Sequence, residues 1–289
     1  MPTNFSDDLM IIIEKYLNET KALINEKQDP EKESKAFIEL ELSKAKDLTA
    51  SVFSLGVILR EVAADNLLGI QRVLTEPVMS YAPFVLFRGL MEMTALSLWL
   101  MSTKIDNNTR VARYLRYKRY SLDEYRKYAN SLGNQELIDY VTTRNVELSK
   151  VSSEFTVTIS EYRLLESEDV QRDIPSRTAI IKECLDAEDK FRLFSGIAHG
   201  QHWAIIQSCF KKTEVGTEIY EGVKGGLLEK SIPLPAYIFL CLFSITYLTK
   251  CEIEQFDMYG WDSQKLKNIE QKSTSDIGGI VKKYNIHLA

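Results

Sequence analysis

The sequence predicts an all-α fold, a single-domain helical bundle of six to eight helices, and three observations carry that prediction. Apolar residues recur at helical spacing through nearly every long segment, beginning with Leu9, Ile12, Ile13, Tyr16, Leu23 and Ile24. Breaks fall where helix-stopping chemistry clusters: "EKQDPEKES" before residue 36, Pro77 and Pro83, "DNNT", Gly133 and "QRDIPSR". No internal repeat or low-complexity linker divides the 289 residues, of which 45% are apolar and 27% charged. One domain therefore spans 1–289, with an N-terminal helix in 1–30, a bundle in 36–260 and a polar tail in 262–289.

Each element has a local reason. Ser6 caps the first helix, and the acidic Asp7 and Asp8 suit the positive end of its dipole. A long helical stretch covers 36–74, and an apolar helix covers 84–102 after the prolines. "DNNT" caps a helix that runs to about 131 and stops near Gly133. Residues 134–168 read as a further helix, and 176–210 as another with a break near Asp186. Residues 211–232, "KKTEVGTEIYEGVKGGLLEKSI", mix β-branched residues with glycines and predict a small irregular or β-hairpin insertion. A last apolar helix covers 235–257.

Composition removes several functional classes. A net charge of −5 does not suit a chain coated along its length by nucleic acid, though a local basic patch is compatible with it. Cys184, Cys209, Cys241 and Cys251 form no CxxC pair and read as free thiols in a reducing cytoplasm, the expected location. The start lacks a basic region followed by a long apolar run, so no secretory signal is expected. Residues 231–249, "SIPLPAYIFLCLFSITYLT", are uncharged, but Pro233 and Pro235 leave about fourteen helical residues, nearer a buried core helix than a membrane span. The other apolar segment holds Arg88 and Glu92, so no membrane anchor is expected. There is no GxSxG elbow, P-loop or strand-flanked GxGxxG, and no cofactor is expected.

Chemistry concentrates in "FRLFSGIAHGQHWAII", residues 191–206. Seven residues make nearly two turns, so Arg192 and His199 share a stripe about 10 Å apart along the axis. Glu188 precedes Arg192 by one turn and is placed to pair with it, while Trp203 follows His199 by one turn. Gly196 and Gly200 inside the helix let another backbone approach. His199 and His202 at i, i+3 lack an evident third ligand, so no metal is expected. An arginine and a histidine so placed equally suit a buried carboxylate and a carbonyl, with no chemistry at all.

Arg192, six intervening residues and His199 match the upper limit of the Rx4–6H motif, and in this the chain resembles the HEPN superfamily of all-α proteins, which includes ribonucleases of toxin and defence systems. The early "RGLMEMTALSLWL" and the late Ser195-containing "SGIAHG" add to that resemblance, which covers roughly 80–260. It implies metal-independent RNA cleavage, with Arg192 stabilising phosphorane charge and His199 acting as general acid or base. It also implies a site formed across a homodimer, and an inhibitory protein partner if the chain is a toxin. Leu193 departs from the polar residue that often follows the motif's arginine.

Two further constellations stand out. Arg88 and Glu92, at i, i+4 in an apolar helix, predict an ion pair that a cleft against the 188–203 helix would bring to Arg192 and His199, with Glu188, Ser195, His202 and Trp203 in support. Between 110 and 127 there are seven basic residues against two acidic ones. Val111, Tyr114, Leu115, Leu122 and Tyr125 make the expected buried stripe; Arg113, Arg116, Tyr120 and Lys127 make an opposite face suited to RNA, or simply to water. The alternative to a ribonuclease is a non-catalytic, dimeric helical module that binds a nucleotide, small effector or protein partner in the same cleft.

Overall fold

A computed structural model describes residues 3–27, 29–43, 46–74, 79–152, 174–212, 218–220, 223–224, 228–230 and 234–286. The fold is all-α. The described residues hold eleven helices: α1 (Thr3–Asn25), α2 (Lys35–Leu42), α3 (Lys46–Val73), α4 (Ala82–Met101), α5 (Asn107–Ser131), α6 (Gln135–Ser152), α7 (Arg177–Leu185), α8 (Glu188–Ala198), α9 (His202–Cys209), α10 (Leu234–Tyr259) and α11 (Gln264–Lys283). Between α9 and α10, β1 (Phe210–Lys212) pairs antiparallel with β4 (Leu228–Lys230), and β2 (Glu218–Tyr220) with β3 (Val223–Lys224).

The count of eleven corrects the expected six to eight, and the reason is local. The 36–74 stretch divides at Ser43, and 176–210 divides twice, at Asp186 and Gly200, both in left-handed backbone. The expected helix over 134–168 is described as far as Ser152, and the rest of it lies outside the described residues. The expected polar tail contains a twenty-residue helix, α11, because Leu266, Ser273, Ile277 and Ile280 form a buried stripe. Ser6 does not cap α1, which begins at Thr3. Phe5 is buried against Tyr284, and the helix extends to seat it.

Helices α3, α4 and α10 pack on one another at the centre. Helices α1 and α11 cover α3 and α10, while α7 and α8 cover α4. Helix α5 closes one end against α3 and α4 and carries α6. The central helices are apolar on nearly all sides: Ala95 to Met101 of α4 are buried without exception. Gly56 lets α4 come close to α3, since a Cβ there would lie 2.5 Å from Met101 Cγ. Ser97 uses that proximity to donate to the Gly56 carbonyl at 2.8 Å. Both α4 and α10 are long and apolar enough to cross a membrane, α4 in spite of Arg88 and Glu92, and more than half of each apolar window is buried inside the bundle. Pro235 does not shorten α10, because a proline in the first turn breaks no helical hydrogen bond.

The end of the bundle is tied by a buried cation, Arg110, one of the seven basic residues of 110–127. Arg110 is wholly buried. Its Nε donates to Glu39 Oε2 at 2.9 Å, its Nη1 to the Leu100 carbonyl at 2.5 Å and its Nη2 to the Ser102 carbonyl at 3.0 Å. Lys35 adds bonds to the Thr103 and Ile105 carbonyls at 2.5 and 2.7 Å, and Glu254 accepts from the Thr103 amide at 2.5 Å. These cations meet carbonyls at and just beyond the negative end of α4, where a helix leaves its last acceptors unpaired. Replacing Arg110 with Ala strands the Glu39 carboxylate and is expected to lower unfolding free energy by about 3–5 kcal/mol, whereas Glu39→Gln with Arg110→Met costs less than the single change. Urea unfolding of the three proteins checks this.

Candidate functional site

Helix α8 begins on acidic residues and carries Glu188, Arg192, Ser195 and His199 along one flank, at steps of four, three and four. Arg192 is exposed and makes a forked ion pair with Glu188 Oε1, at 3.0 Å from Nε and 2.8 Å from Nη2. That bond is the main reason the Glu188 carboxyl titrates below its usual range. Lys182 of α7 approaches the other Glu188 oxygen at 3.5 Å.

The histidine does not sit within a continuous helix as expected. Helix α8 ends at Ala198, His199 is its C-cap, and Gly200 follows with φ of +70°. The Gln201 amide donates back to the Gly196 carbonyl at 2.8 Å and the Gly200 amide to Ile197 at 3.1 Å, the two bonds of a Schellman turn. Gly200 is there because a left-handed residue must end the helix, and a Cβ on it would meet nothing within 4 Å. Gly196 does permit a close approach, but to the chain's own next helix: a Cβ there would lie 2.8 Å from Ala204 Cβ. His202 starts α9 and Trp203 is exposed, its Nε1 donating to Gln201 Oε1 at 2.7 Å. The α8–α9 elbow thus separates the His199 and Trp203 that one straight helix would have stacked.

Arg88 and Glu92 form the expected pair at 2.8 Å on α4. The Arg88 guanidinium lies over the Phe191 ring at 5.5 Å, so this pair does meet α8. Arg88 Nε is buried and has no hydrogen-bond partner. Phe191 is the buried neighbour of Arg192, whose own side chain points into solvent with Glu188. A cleft between α4 and α8 exists, but aromatic residues line it instead of the four expected polar ones. It measures about 480 Å³ and is bounded by Phe84 and Phe87 of α4, Leu193 and Phe194 of α8, and Phe239 and Phe243 of α10. Phe194 packs edge-on to Phe87 at 5.1 Å and stacks near Phe84 at 5.7 Å; Phe239 and Phe243 stack at 6.2 Å and Phe239 is exposed. Lys190 also lines the cleft, its Nζ 5.2 Å from the centre of the Phe243 ring and 3.7 Å from Asp189. Ala236 also lines it.

The expected basic face of α5 is rearranged. Arg113 turns inward, donating to the Trp99 carbonyl at 2.7 Å with its guanidinium 4.8 Å over the Trp99 ring. Arg116 is half-buried; Tyr120 is exposed, with Arg177 5.7 Å over its ring. Lys127 is exposed and bonded to Glu124 at 2.6 Å, which raises its pKa. Of the expected buried stripe, Val111, Leu115 and Leu122 are buried, Tyr114 is half-buried, and Tyr125 is exposed near Tyr128. Among the described residues no three of His, Cys, Asp and Glu gather as metal ligands. Cys184, Cys241 and Cys251 are free, and burial pushes the Cys184 and Cys251 thiols up to about 12.

One polar cluster has no counterpart in the sequence reading. Glu252 of α10 is almost fully buried and accepts from the Tyr16 hydroxyl of α1 at 3.1 Å, while Thr249 lies 2.8 Å from the same hydroxyl. Arg60 of α3, also buried, acts on Glu252 by its charge and bonds to Glu61. Tyr16 had the spacing of a core residue, and nothing local marks an acid in α10 as its partner across 236 positions. Comparison with protein-family models, with curated proteins and with solved structures finds no match.

Burial pushes the Glu252 carboxyl from an ordinary 4.5 up to about 7, against the lowering effect of Arg60. The folded chain therefore holds this proton more tightly than the unfolded one. The associated stability is fully present below the unfolded value and is lost as pH rises through the folded value, an effect of about 3 kcal/mol. Glu252→Gln, which mimics the protonated acid, is expected to flatten that loss and to exceed wild type in stability on the alkaline side, as read by urea unfolding across the window.

Proposed function

We propose that the chain is a helical binding module that takes an amphiphilic small molecule, an aromatic or acyl body bearing an anionic group, into the cleft between α4, α8 and α10. One observation carries the reading: five phenylalanines, Phe84, Phe87, Phe194, Phe239 and Phe243, border an open space of about 480 Å³ where a bundle would otherwise close. That size is in the range of small-ligand sites, whose walls are largely apolar with a few placed polar groups. Lys190 supplies the complementary charge, its stem along Phe243 and its ammonium partly in water. The probe is anilinonaphthalene sulfonate, an aromatic anion of suitable shape. It is expected to bind at one saturable site in the folded chain. Ala236→Trp, which puts a large ring at a lining position, should weaken binding about tenfold or more with helicity retained. Undiminished binding to that variant would remove the cleft as the site.

The ribonuclease reading rests on a different surface. Arg192, Ser195 and His199 share one flank of α8, with Arg192 and His199 exposed, and such a flank suits a site completed by a second copy, as in the HEPN proteins that the motif resembles. Arg88 and Glu92 belong to the inner pair beneath it, while Arg116, Tyr120 and Lys127 supply what remains of an RNA-facing surface on α5. On this reading the chain is a cytoplasmic, homodimeric, metal-independent endoribonuclease of a toxin or defence system, held by an inhibitory partner. Purified wild-type chain incubated with total RNA and EDTA should cleave it, and His199→Ala should not. Equal behaviour of the two folded proteins would count against it.

A further inference from the structure

Helices α5 and α6 form an antiparallel hairpin that turns at Gly133, where φ is +62°. A cavity of about 580 Å³ runs along the seam between them and shares no residue with the aromatic cleft. Lys118, Ser121 and Tyr125 of α5 line it at i, i+3 and i+7, and Tyr140, Arg144 and Glu147 of α6 line it at i, i+4 and i+7. Each set is one stripe of its helix, so two stripes meet across the cavity. On both helices the tyrosine comes nearer the turn and the cation farther from it. The rings therefore share one part of the cavity, and Lys118 and Arg144 share the next.

These groups are within reach of a ligand. Tyr125 is 36% exposed and Tyr140 50%, and Lys118, Arg144 and Glu147 are exposed as well. Arg144 lies 5.4 Å over the Tyr140 ring and donates from Nη1 to Glu147 Oε2 at 2.8 Å. A guanidinium has five N–H donors, so this pairing leaves others for an anion. With Glu147 set against Arg144, Lys118 leaves the lining net positive. Leu122 and Leu148 give it an apolar part. Tyr140 and Arg144 stand one turn apart and Lys118 and Tyr125 two, so about 6 to 10 Å separates ring from cation along the helix axes. A nucleobase and the phosphate on its ribose are spaced on that scale.

We propose that the α5–α6 cavity binds a nucleoside monophosphate. The base lies against the tyrosine rings, which offer a π-face to any base, and the phosphate meets Lys118 and Arg144. Ser121 and Glu147 accept from the ribose hydroxyls, which gives the carboxylate a use beside two cations. Inorganic phosphate leaves the rings idle, and a neutral nucleoside leaves the cations idle. The site is independent of the aromatic cleft and of the Arg192 flank. The probes are adenosine and uridine 5′-monophosphates, adenosine and inorganic phosphate, added to the full chain and followed by calorimetry and saturation-transfer NMR. At least one nucleotide is expected to bind saturably, about tenfold or more tighter than adenosine, and more weakly as salt rises. Lys118→Gln should weaken nucleotide binding about fivefold and leave adenosine unaffected, while Tyr140→Leu should weaken both about tenfold. Both positions are exposed, so helicity is retained, and Ala236→Trp should change neither ligand. No saturable binding of either nucleotide would overturn the proposal, as would binding indifferent to both hairpin variants. Adenosine or inorganic phosphate bound as tightly as the nucleotide would overturn it too. A single-stranded oligonucleotide bound where the mononucleotides are not would assign the hairpin to nucleic acid instead.

Discussion

The bundle depends on the guanidinium of Arg110. Buried without any exposed surface, it joins Glu39 of α2, the final carbonyls of α4, the turn into α5 and the Phe53 ring of α3. Met258 of α10 completes its surroundings at 3.7 Å. Taking such a group out of water is costly, and the cost is offset because each of its three nitrogens finds an acceptor. The result is directional. Arg110 sets where α4 stops and where α5 starts, and the phase of α4 then decides that Phe84, Phe87 and Arg88 all face α8. The aromatic cleft lies at the other end of the same helix, about four turns from this salt bridge.

The elbow at Gly200 has the opposite character. It is exposed, unpacked and made by backbone conformation alone, yet it turns α9 back so that Ala204 presses on Gly196. The turn leaves His199 at a helix terminus with open solvent before it, and it leaves the aromatic cleft bordered by Gln207 and Ser208 of α9. Two surfaces of different chemistry result from one break. One is a charged flank that could act only on something large enough to lie across it; the other is a lined recess that suits something small.

What could be read directly from residues was periodicity and punctuation. The all-α class and the core face of α1 followed from apolar spacing; α5 was expected after "DNNT", but it starts inside that stretch at Asn107, because Asp106 at its head accepts from the Thr109 amide at 2.7 Å. Reading failed where one residue type serves two purposes. Gly200 is equally consistent with close packing and with left-handed termination, and only the backbone distinguishes them. Arg110 and Arg113 sit in a basic run indistinguishable from a solvated face until Glu39 and Trp99 are brought alongside from distant segments. Helix α11 was hidden because its buried stripe includes Ser273, which counts as polar in any pattern. The Tyr16–Glu252 contact joins positions 236 apart and leaves no local trace at either end.

The seating of α1 has a consequence for how the chain is made. Its partners are α3, α10 and α11, and its ties at Asp8 go to Lys283 at 2.6 Å and Tyr284 at 3.0 Å. A ribosome delivers α1 before the others, so its apolar stripe must wait through the synthesis of nearly every other element. Closing a contact so far apart in sequence comes late in folding, because the loop entropy is set against it until the rest is in place. The Asp8 contacts to Lys283 and Tyr284 form only after α11 has left the ribosome, so the first helix to be made is among the last to be locked in place.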